Sequence, residues 1–331
     1  MKKKCLLVLS LLVFLFTGCG KERNDDLVLK LKDKINNLDS YYVEGELALY
    51  NNEDKYSYDV FVSYKKDNNF KVLLKNKVNN HEQIILRNND GVYVLTPSLN
   101  KSFKFQSEWP YNNSQSYLPQ IIIKDIEEDK TKEIIKNDDE YIIKTKANYS
   151  NNKELILQEI MVDKDHNIKE VNVMDDKGNI GIKMKFIKFE ENKDFNDNEF
   201  KIEENMQTEE KVEETSKIEN ITYPLYIPEN TFLSNKEVIN LDNGERVILT
   251  FNGESPFMLI EETVSKEENF ITIPTIGEPC LFVDTVGTIG DKSVSWISNG
   301  IEYYVTSETM KSDDLLNIAR SMGAMPVAQT K

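Results

Sequence analysis

Residues 56–64 read YSYDVFVSY, and this stretch decides the fold because apolar and polar residues alternate along most of it. Tyr58, Val60 and Val62 point to one side of an extended chain, and the residues between them point to the other side. Phe61 is the exception, since it places an apolar ring on the otherwise polar side. A period of two is typical of a strand that buries one face, so the sequence predicts a half-buried antiparallel sheet.

The same alternation recurs in segments between residues 43 and 190. Stretches rich in Asn, Asp and Gly, such as 88–91 and 175–179, separate these segments and are typical of hairpin turns. We count about eleven strands in this region. Their shared apolar face is the candidate binding surface, and it either holds a ligand or is filled by the protein's own packing. The candidate residues of this concave face are Tyr58, Val60, Val62, Val72, Leu74, Val94 and Met184.

Two helices are predicted beside these strands. Residues 26–38 place Leu27, Leu31 and Ile35 at helical spacing, which indicates an amphipathic helix. A second helix is expected to start near Pro119, because proline is favoured in the first turn of a helix. Each apolar stripe needs a partner surface, and the second helix can lie across the sheet. The fold class expected is therefore α+β, with an antiparallel half-barrel and crossing helices.

The N-terminus predicts export and a lipid anchor. Three lysines precede an apolar run over residues 6–16, which is too short to span a bilayer and is typical of a signal peptide. The run ends in Gly18 and Cys19, and small residues before a cysteine resemble the lipobox cut by lipoprotein signal peptidase. We therefore expect acyl chains such as palmitate on Cys19, at the outer face of the cytoplasmic membrane. The alternatives are a signal cut elsewhere and an uncleaved anchor.

The charge of the chain excludes some classes of partner. The formal charge is -16, and removal of residues 1–18 makes it -19, since three lysines and no acids leave. An acidic surface is repelled by anionic lipid and by nucleic acid. The sequence therefore predicts no nucleic-acid partner, and it assigns membrane attachment to the lipid alone.

Length and cysteine content predict two domains without disulfides. Apart from the lipid-bearing Cys19, the exported chain retains only Cys280, so its stability must come from apolar burial. The chain is also longer than one core usually supports. The expected division is a signal peptide at 1–18, a tether at 19–25, a half-barrel domain at 26–202, an acidic linker at 203–217, a small α+β domain at 218–323 and a mobile tail at 324–331.

The second predicted domain consists of strands followed by one helix. Two Asn-Gly pairs, at 243–244 and 299–300, indicate hairpin turns. Ser312 is expected to cap a final helix that Gly323 and Pro326 terminate. The predicted strands span residues 237–241, 245–251, 257–264, 280–286, 293–298 and 301–306.

Residues able to carry out catalysis are scarce. His81 and His166 are the only histidines, and both are expected at the surface. Cys280 stands in an apolar segment, where a buried core thiol is more typical than a nucleophile. No common hydrolase, metalloprotease or phosphate-loop motif is present. We therefore predict a non-enzymatic protein without catalytic residues or cofactor, and the alternative is an envelope hydrolase with an unrecognised acidic site.

One turn resembles the start of a calcium loop. Asp163, Asp165 and Asn167 have the right spacing for its first three ligands. However, Ile168 stands where the loop needs glycine, and Met174 stands where it needs a bidentate glutamate. The sequence therefore predicts no metal site here.

Residues 90–101 (DGVYVLTPSLNK) and 103–110 (FKFQSEWP) carry a family resemblance. With the predicted helix and meander, they resemble the LolA/LolB-like lipoprotein-carrier fold, in its Gram-positive branch of GerS-like sporulation and germination lipoproteins. Residues 295–304 and 312–322 resemble a small C-terminal domain of unknown function from spore-forming bacteria.

The resemblance implies a binding role. It implies a non-enzymatic protein, without a cofactor, whose concave apolar face holds an acyl chain or side chains of a partner protein. The GerS-like branch implies a cell-wall hydrolase, such as an amidase, as the partner. The wider fold implies a lipid ligand, and the sequence leaves the two open.

Overall fold

The computed structural model describes residues 24–323, except 52–53, 138, 150–151, 209–215 and 283. The predicted signal peptide, Cys19 and the tail at 324–331 lie outside the described residues. Four α-helices are present in the described part of the chain: α1 (Asn24–Asn36), α2 (Pro119–Glu128), α3 (Ile202–Asn205) and α4 (Ser312–Arg320).

A large first sheet forms where the alternating pattern predicts it. Eleven strands lie before α3, which confirms the expected number. These strands are β1 (Ser40–Asn51), β2 (Asp54–Lys65), β3 (Asn69–Asn76), β4 (Glu82–Asn88), β5 (Gly91–Thr96), β6 (Lys101–Phe105), β7 (Glu133–Asn137), β8 (Glu140–Lys146), β9 (Leu157–Asp163), β10 (Ile168–Met174) and β11 (Ile180–Glu191).

The eleven strands pair antiparallel in the order β6-β5-β4-β3-β2-β1-β11-β10-β9-β8-β7. Most neighbours in this order are consecutive in the chain, as expected for a meander joined by short turns. The long strands β1 and β11 pair with each other, so the end of the meander returns beside its beginning. The sheet is open, because β7 has no second neighbour among the strands that the structure describes. The predicted α+β class with an antiparallel half-barrel is confirmed.

A second sheet of seven strands follows. The final helix α4 packs against it through Leu315, Leu316 and Ile318, so the predicted α+β character of this region is confirmed. The strand order is β12-β13-β14-β19-β18-β17-β16. These strands are β12 (Thr231–Leu241), β13 (Gly244–Gly253), β14 (Phe257–Thr263), β16 (Glu278–Phe282), β17 (Thr285–Ile289), β18 (Ser293–Ser298) and β19 (Ile301–Thr306).

The predicted strand at 280–286 is wrong, because the chain reverses within it. β16 ends at Phe282 and β17 begins at Thr285, and the two strands pair antiparallel. The Ser298 hydroxyl donates a hydrogen bond of 2.7 Å to Asp284 Oδ2 beside this reversal. Asp284 and Thr285 are the only polar residues in the segment, and the sequence prediction did not interpret them as a turn.

The strand β15 (Ile271–Thr275) links the two parts of the chain. It lies within the predicted second domain but pairs parallel with β6, so it becomes the twelfth strand of the first sheet. The Ile271 N–H donates to the Asn100 carbonyl at 2.9 Å, which aligns the two strands. The segment between β14 and β16 is therefore joined to the first sheet by main-chain hydrogen bonds.

The start of the predicted acidic linker is folded. Met206 is buried, and it packs with Phe200 against Leu86 and Leu95 of the first sheet. Residues 209–215 of the same linker lie outside the described residues.

Among the described helices, none combines the length and the apolar character that a membrane crossing requires.

Candidate functional site

The seven residues predicted to line the concave face lie on one side of the first sheet. Val60 pairs with Leu74 and Val62 pairs with Val72, so their side chains share a face. All seven are buried, and none is more than 2 % exposed to solvent. They belong to one continuous cluster of apolar side chains.

Two helices and a hairpin contribute to the cluster that covers this face. Leu27 and Leu31 of α1 and Ile122 and Ile126 of α2 belong to it, and each is at most 1 % exposed. Val286 adds a contact from β17 in the second sheet. The apolar face is therefore occupied by the protein's own side chains.

Gln83 binds the β16–β17 hairpin to the first sheet through hydrogen bonds. Its Oε1 atom accepts hydrogen bonds from the Thr285 hydroxyl at 2.8 Å and from the Val286 N–H at 2.7 Å. Gln83 Nε2 donates to the Val286 carbonyl at 3.4 Å. Both hairpin residues and Gln83 are buried, so this polar junction is shielded from water. Sequence reasoning missed it, because the partners are about two hundred positions apart.

The side chains considered for catalysis or metal binding have structural roles. Cys280 is buried in the core of the second sheet, and burial raises the pKa of its thiol to about 12. Asp163 Oδ1 accepts the N–H groups of Asp165 and Asn167 at 3.0 and 2.8 Å, so it closes its own turn. The His166 ring stacks on Tyr141 in the same region. Over the described residues, no cluster of side chains suited to a metal ion is found.

The edge strand β12 is an exposed feature that sequence reasoning did not find. Ten of its eleven residues pair with β13, and among the described strands none pairs with its other side. Residues 232–240 are all exposed, although several are large and apolar. Phe232 is 61 % exposed and Val238 is 49 % exposed. Long apolar edges of this kind are ready partners for another strand.

A polar cleft of about 610 Å³ lies between the two sheets. Its first wall comes from the ends of β1, β2 and β11, and its second wall comes from β16 and the C-terminal end of α4. Of the described residues, four asparagines and three tyrosines line it, together with Arg320. Sequence reasoning missed this cleft as well, because its walls come from distant parts of the chain.

Glu261 is a buried acid in the second sheet. Its side chain is 0 % exposed, and Oε1 accepts the Thr222 N–H at 2.9 Å. Oε2 has no hydrogen-bond partner among the described residues. Burial raises the pKa of this carboxyl to about 7, and the hydrogen bond from Thr222 partly opposes that rise.

Comparison with known proteins places the chain in a family. The model of the family described as sporulation protein YdcC-like matches residues 1–200. The sporulation protein YdcC of Bacillus subtilis (strain 168) is 34% identical over 328 residues, which is 97% of each chain. The chain belongs to the YdcC-like sporulation protein family. The sporulation branch predicted from residues 90–110 is thereby confirmed at the level of the family.

Several solved structures are similar to the YdcC-like chain at low sequence identity. The MucA/MucB complex of Pseudomonas aeruginosa has a chain that is 11% identical, covering 90% of this chain and 96% of that one, with a TM-score of 0.33. The Clostridioides difficile complex of the CwlD amidase with the GerS lipoprotein has a chain that is 18% identical. The match covers 51% of this chain and 96% of that chain, with a TM-score of 0.31. The LolA superfamily protein NE2245 of Nitrosomonas europaea is 12% identical. The match covers 54% of this chain and 98% of that chain, with a TM-score of 0.33.

Proposed function

We propose that this protein is a non-enzymatic, lipid-anchored protein of the cell envelope that binds a partner protein during sporulation. The observation that carries the proposal is a contrast between two surfaces. The predicted ligand face is buried under helices, while the apolar edge β12 is open to solvent. Family membership supports the sporulation context.

The packing of the concave face favours a protein partner over an acyl chain. An acyl chain on this face would displace side chains such as Val60 and Val72, which are 0 % exposed. Their close-packed contacts would be lost, and a dense protein interior does not compensate easily for such losses. A partner that binds outside the core requires no such rearrangement.

Hairpin geometry shows which main-chain groups of β12 remain available. Leu241 pairs with Gly244 across a two-residue turn, so the N–H and C=O groups of Leu241 and Ile239 point to β13. The groups of Val238, one residue away, then point to the open edge. An extended segment of a partner can use these groups by adding a strand.

The charge around β12 defines the chemistry of that segment. Glu229, Glu237 and Asp242 surround one lysine, Lys236, and the whole chain carries a formal charge of -16. A second copy of this acidic chain is repelled, whereas a basic segment is attracted. The proposed occupant is therefore an extended, basic segment of another protein, with apolar residues that contact Phe232. A cell-wall hydrolase is the partner class implied by the resemblance of residues 103–110.

Proline at position 238 is expected to block strand addition. Val238→Pro removes an N–H on the open side of β12, and prolines are tolerated at sheet edges. We expect at least about a tenfold loss of partner recovery and a sporulation defect, because main-chain hydrogen bonds carry such binding. Recovery from sporulating cells by affinity capture, quantified by mass spectrometry, measures the effect.

Val238→Thr is the matched control, since it keeps the N–H and a β-branched side chain. Recovery with the threonine variant should match the wild type. Equal recovery with the proline and threonine variants would show that the edge is not used, provided that both melt at the wild-type temperature.

The anchor is tested at Cys19, which lies outside the described residues. Cys19→Ala removes the predicted site of acylation, and the preceding apolar run is too short to hold the chain stably in a membrane. We expect an unprocessed or released protein, measured by fractionation and intact mass. Unchanged retention with an unchanged mature mass would contradict the lipid anchor.

A further inference from the structure

The polar cleft between the two sheets has the size and chemistry of a binding site. Its volume of about 610 Å³ falls within the range of roughly 300 to 1,000 Å³ that is typical of small-molecule pockets. Both sheets contribute to its walls, and junctions of this kind are common places for ligands. We propose that this cleft binds a neutral oligosaccharide.

Amide groups supply the polar lining. Asn51, Asn152, Asn179 and Asn317 line the cleft. Three of these amides already make one hydrogen bond: Asn51 Nδ2 donates to the Arg320 carbonyl at 3.4 Å, Asn152 Oδ1 accepts the Glu154 N–H at 3.2 Å, and Asn179 Nδ2 donates to Asp175 at 2.7 Å. Each amide keeps further donors and acceptor lone pairs for a ligand. Asn317 is exposed, and its side chain makes no hydrogen bond with any described residue. Sugar hydroxyl and acetamido groups also donate and accept hydrogen bonds, so they can pair with the donors and acceptors of these amides.

Tyrosine rings supply flat apolar surfaces beside these amides. Tyr50 and Tyr226 are 39% and 46% exposed and line the cleft together with the half-buried Tyr56. A phenol ring combines an apolar face with a polar hydroxyl. The C–H face of a pyranose ring can lie against a tyrosine ring, while the hydroxyl groups at the edge of the sugar contact the amides.

The charges of the cleft disfavour an anionic ligand. Arg320 contributes one positive charge, and Glu154 and Asp175 contribute negative ones. Asp175 is engaged in its own turn, where it accepts hydrogen bonds from Asn179. Those hydrogen bonds come from neutral N–H groups, so Asp175 keeps its charge, and one positive and two negative side chains leave the lining at -1, which repels anions.

The main chain of the first wall disfavours a peptide bound as an added strand. The strands β1 and β11 that form its first wall have neighbours on both sides, so their main-chain groups are already paired. A peptide that binds as an added strand needs an unpaired edge, which these strands do not offer. β16 in the second wall lies at the end of its sheet, so the peptide probe tests that edge. The lining favours a ligand that is bound through side chains, and an oligosaccharide is such a ligand.

Calorimetric titration of the intact protein tests the proposal with three probes. The probes are a tetramer of N-acetylglucosamine, a tetramer of glucose and a short neutral peptide. We expect saturable binding of one or both sugars and none of the peptide. Asn317→Ala and Tyr226→Ala should weaken sugar binding by about tenfold or more, equivalent to about 1.4 kcal/mol each.

The controls are Asn37→Ala and Tyr223→Ala, which change exposed residues outside the cleft. Both should bind sugar as the wild type does, and all four variants should keep the wild-type melting temperature. Absence of sugar binding, binding of the peptide alone, or equal binding by cleft and control variants would overturn the proposal. Because β12 is not part of the cleft, Val238→Pro should leave sugar binding intact, so the two proposals fail separately.

Discussion

Val60→Asp is expected to lower the free energy of unfolding by about 3 kcal/mol or more, because it places a charged group in a filled core. Val60 is 0 % exposed and lies between Gly45 on β1 and Leu74 on β3. Val60 belongs to a buried cluster of apolar side chains, which offer an aspartate neither a hydrogen bond nor an opposite charge. Urea unfolding followed by circular dichroism measures the loss.

Asp59→Ala is the control on the opposite face. Asp59 forms an ion pair of 3.0 Å with Lys77, and its side chain is 42% exposed. Exposed ion pairs contribute about 1 kcal/mol or less, so a small change is expected. If Val60→Asp instead unfolds as the wild type does and only loses binding of a fluorescent acyl probe, the concave face is an open cleft and our account of the core is wrong.

Glu261→Gln is expected to stabilise the protein above neutral pH. The pKa of Glu261 is raised from its ordinary value of 4.5 to about 7, so the folded state holds its proton where the unfolded state has lost it. The contribution of Glu261 to the free energy of unfolding is therefore fully present below about pH 4.5, and it is lost as the pH rises to about 7. One pKa unit corresponds to about 1.4 kcal/mol, which gives roughly 3 to 4 kcal/mol in total.

The glutamine variant should lose this part of the pH dependence, because it cannot ionise, while its oxygen can still accept the Thr222 N–H. The measurement is the difference in unfolding free energy between variant and wild type, at several pH values from about 4 to 8. A difference that stays constant over this range would show that the Glu261 carboxyl titrates normally.

Much of the first sheet could be predicted because its signal is local. The alternation in segments such as residues 56–64 reflects burial of one face, and the structure places Tyr58, Val60 and Val62 on that buried face. The helices α1 and α2 follow from their spacing of apolar residues in the same way. Each of these elements is encoded within about a dozen neighbouring residues.

The missed elements depend on distant partners. The strand β15 contains Pro274 within a short segment, and only its pairing with β6 makes it a strand. Proline is acceptable there because β15 lies at the edge of the sheet. The predicted strand at 280–286 failed for a similar reason, since Gln83 helps to hold the reversed hairpin.

The candidate sites show the same limit. Periodicity identified an apolar face, but whether that face is open or filled depends on how α1, α2 and β17 dock, which no local pattern encodes. The exposure of β12 is equally hidden, since Val238 and Ile239 are typical of a buried strand. The cleft at Asn317 requires both sheets to be in place.

Site-specific photo-crosslinking from β12 tests the central claim most directly. A photoreactive residue at position 238 of the intact protein in sporulating cells reports what lies against the open edge, and position 187 serves as a control because Ile187 is 64% exposed on the other sheet. Our account predicts an adduct from position 238 alone, mapped to a basic, extended segment of another protein. Adducts only with a second copy of this chain, equal adducts from both positions, or none at all would contradict it.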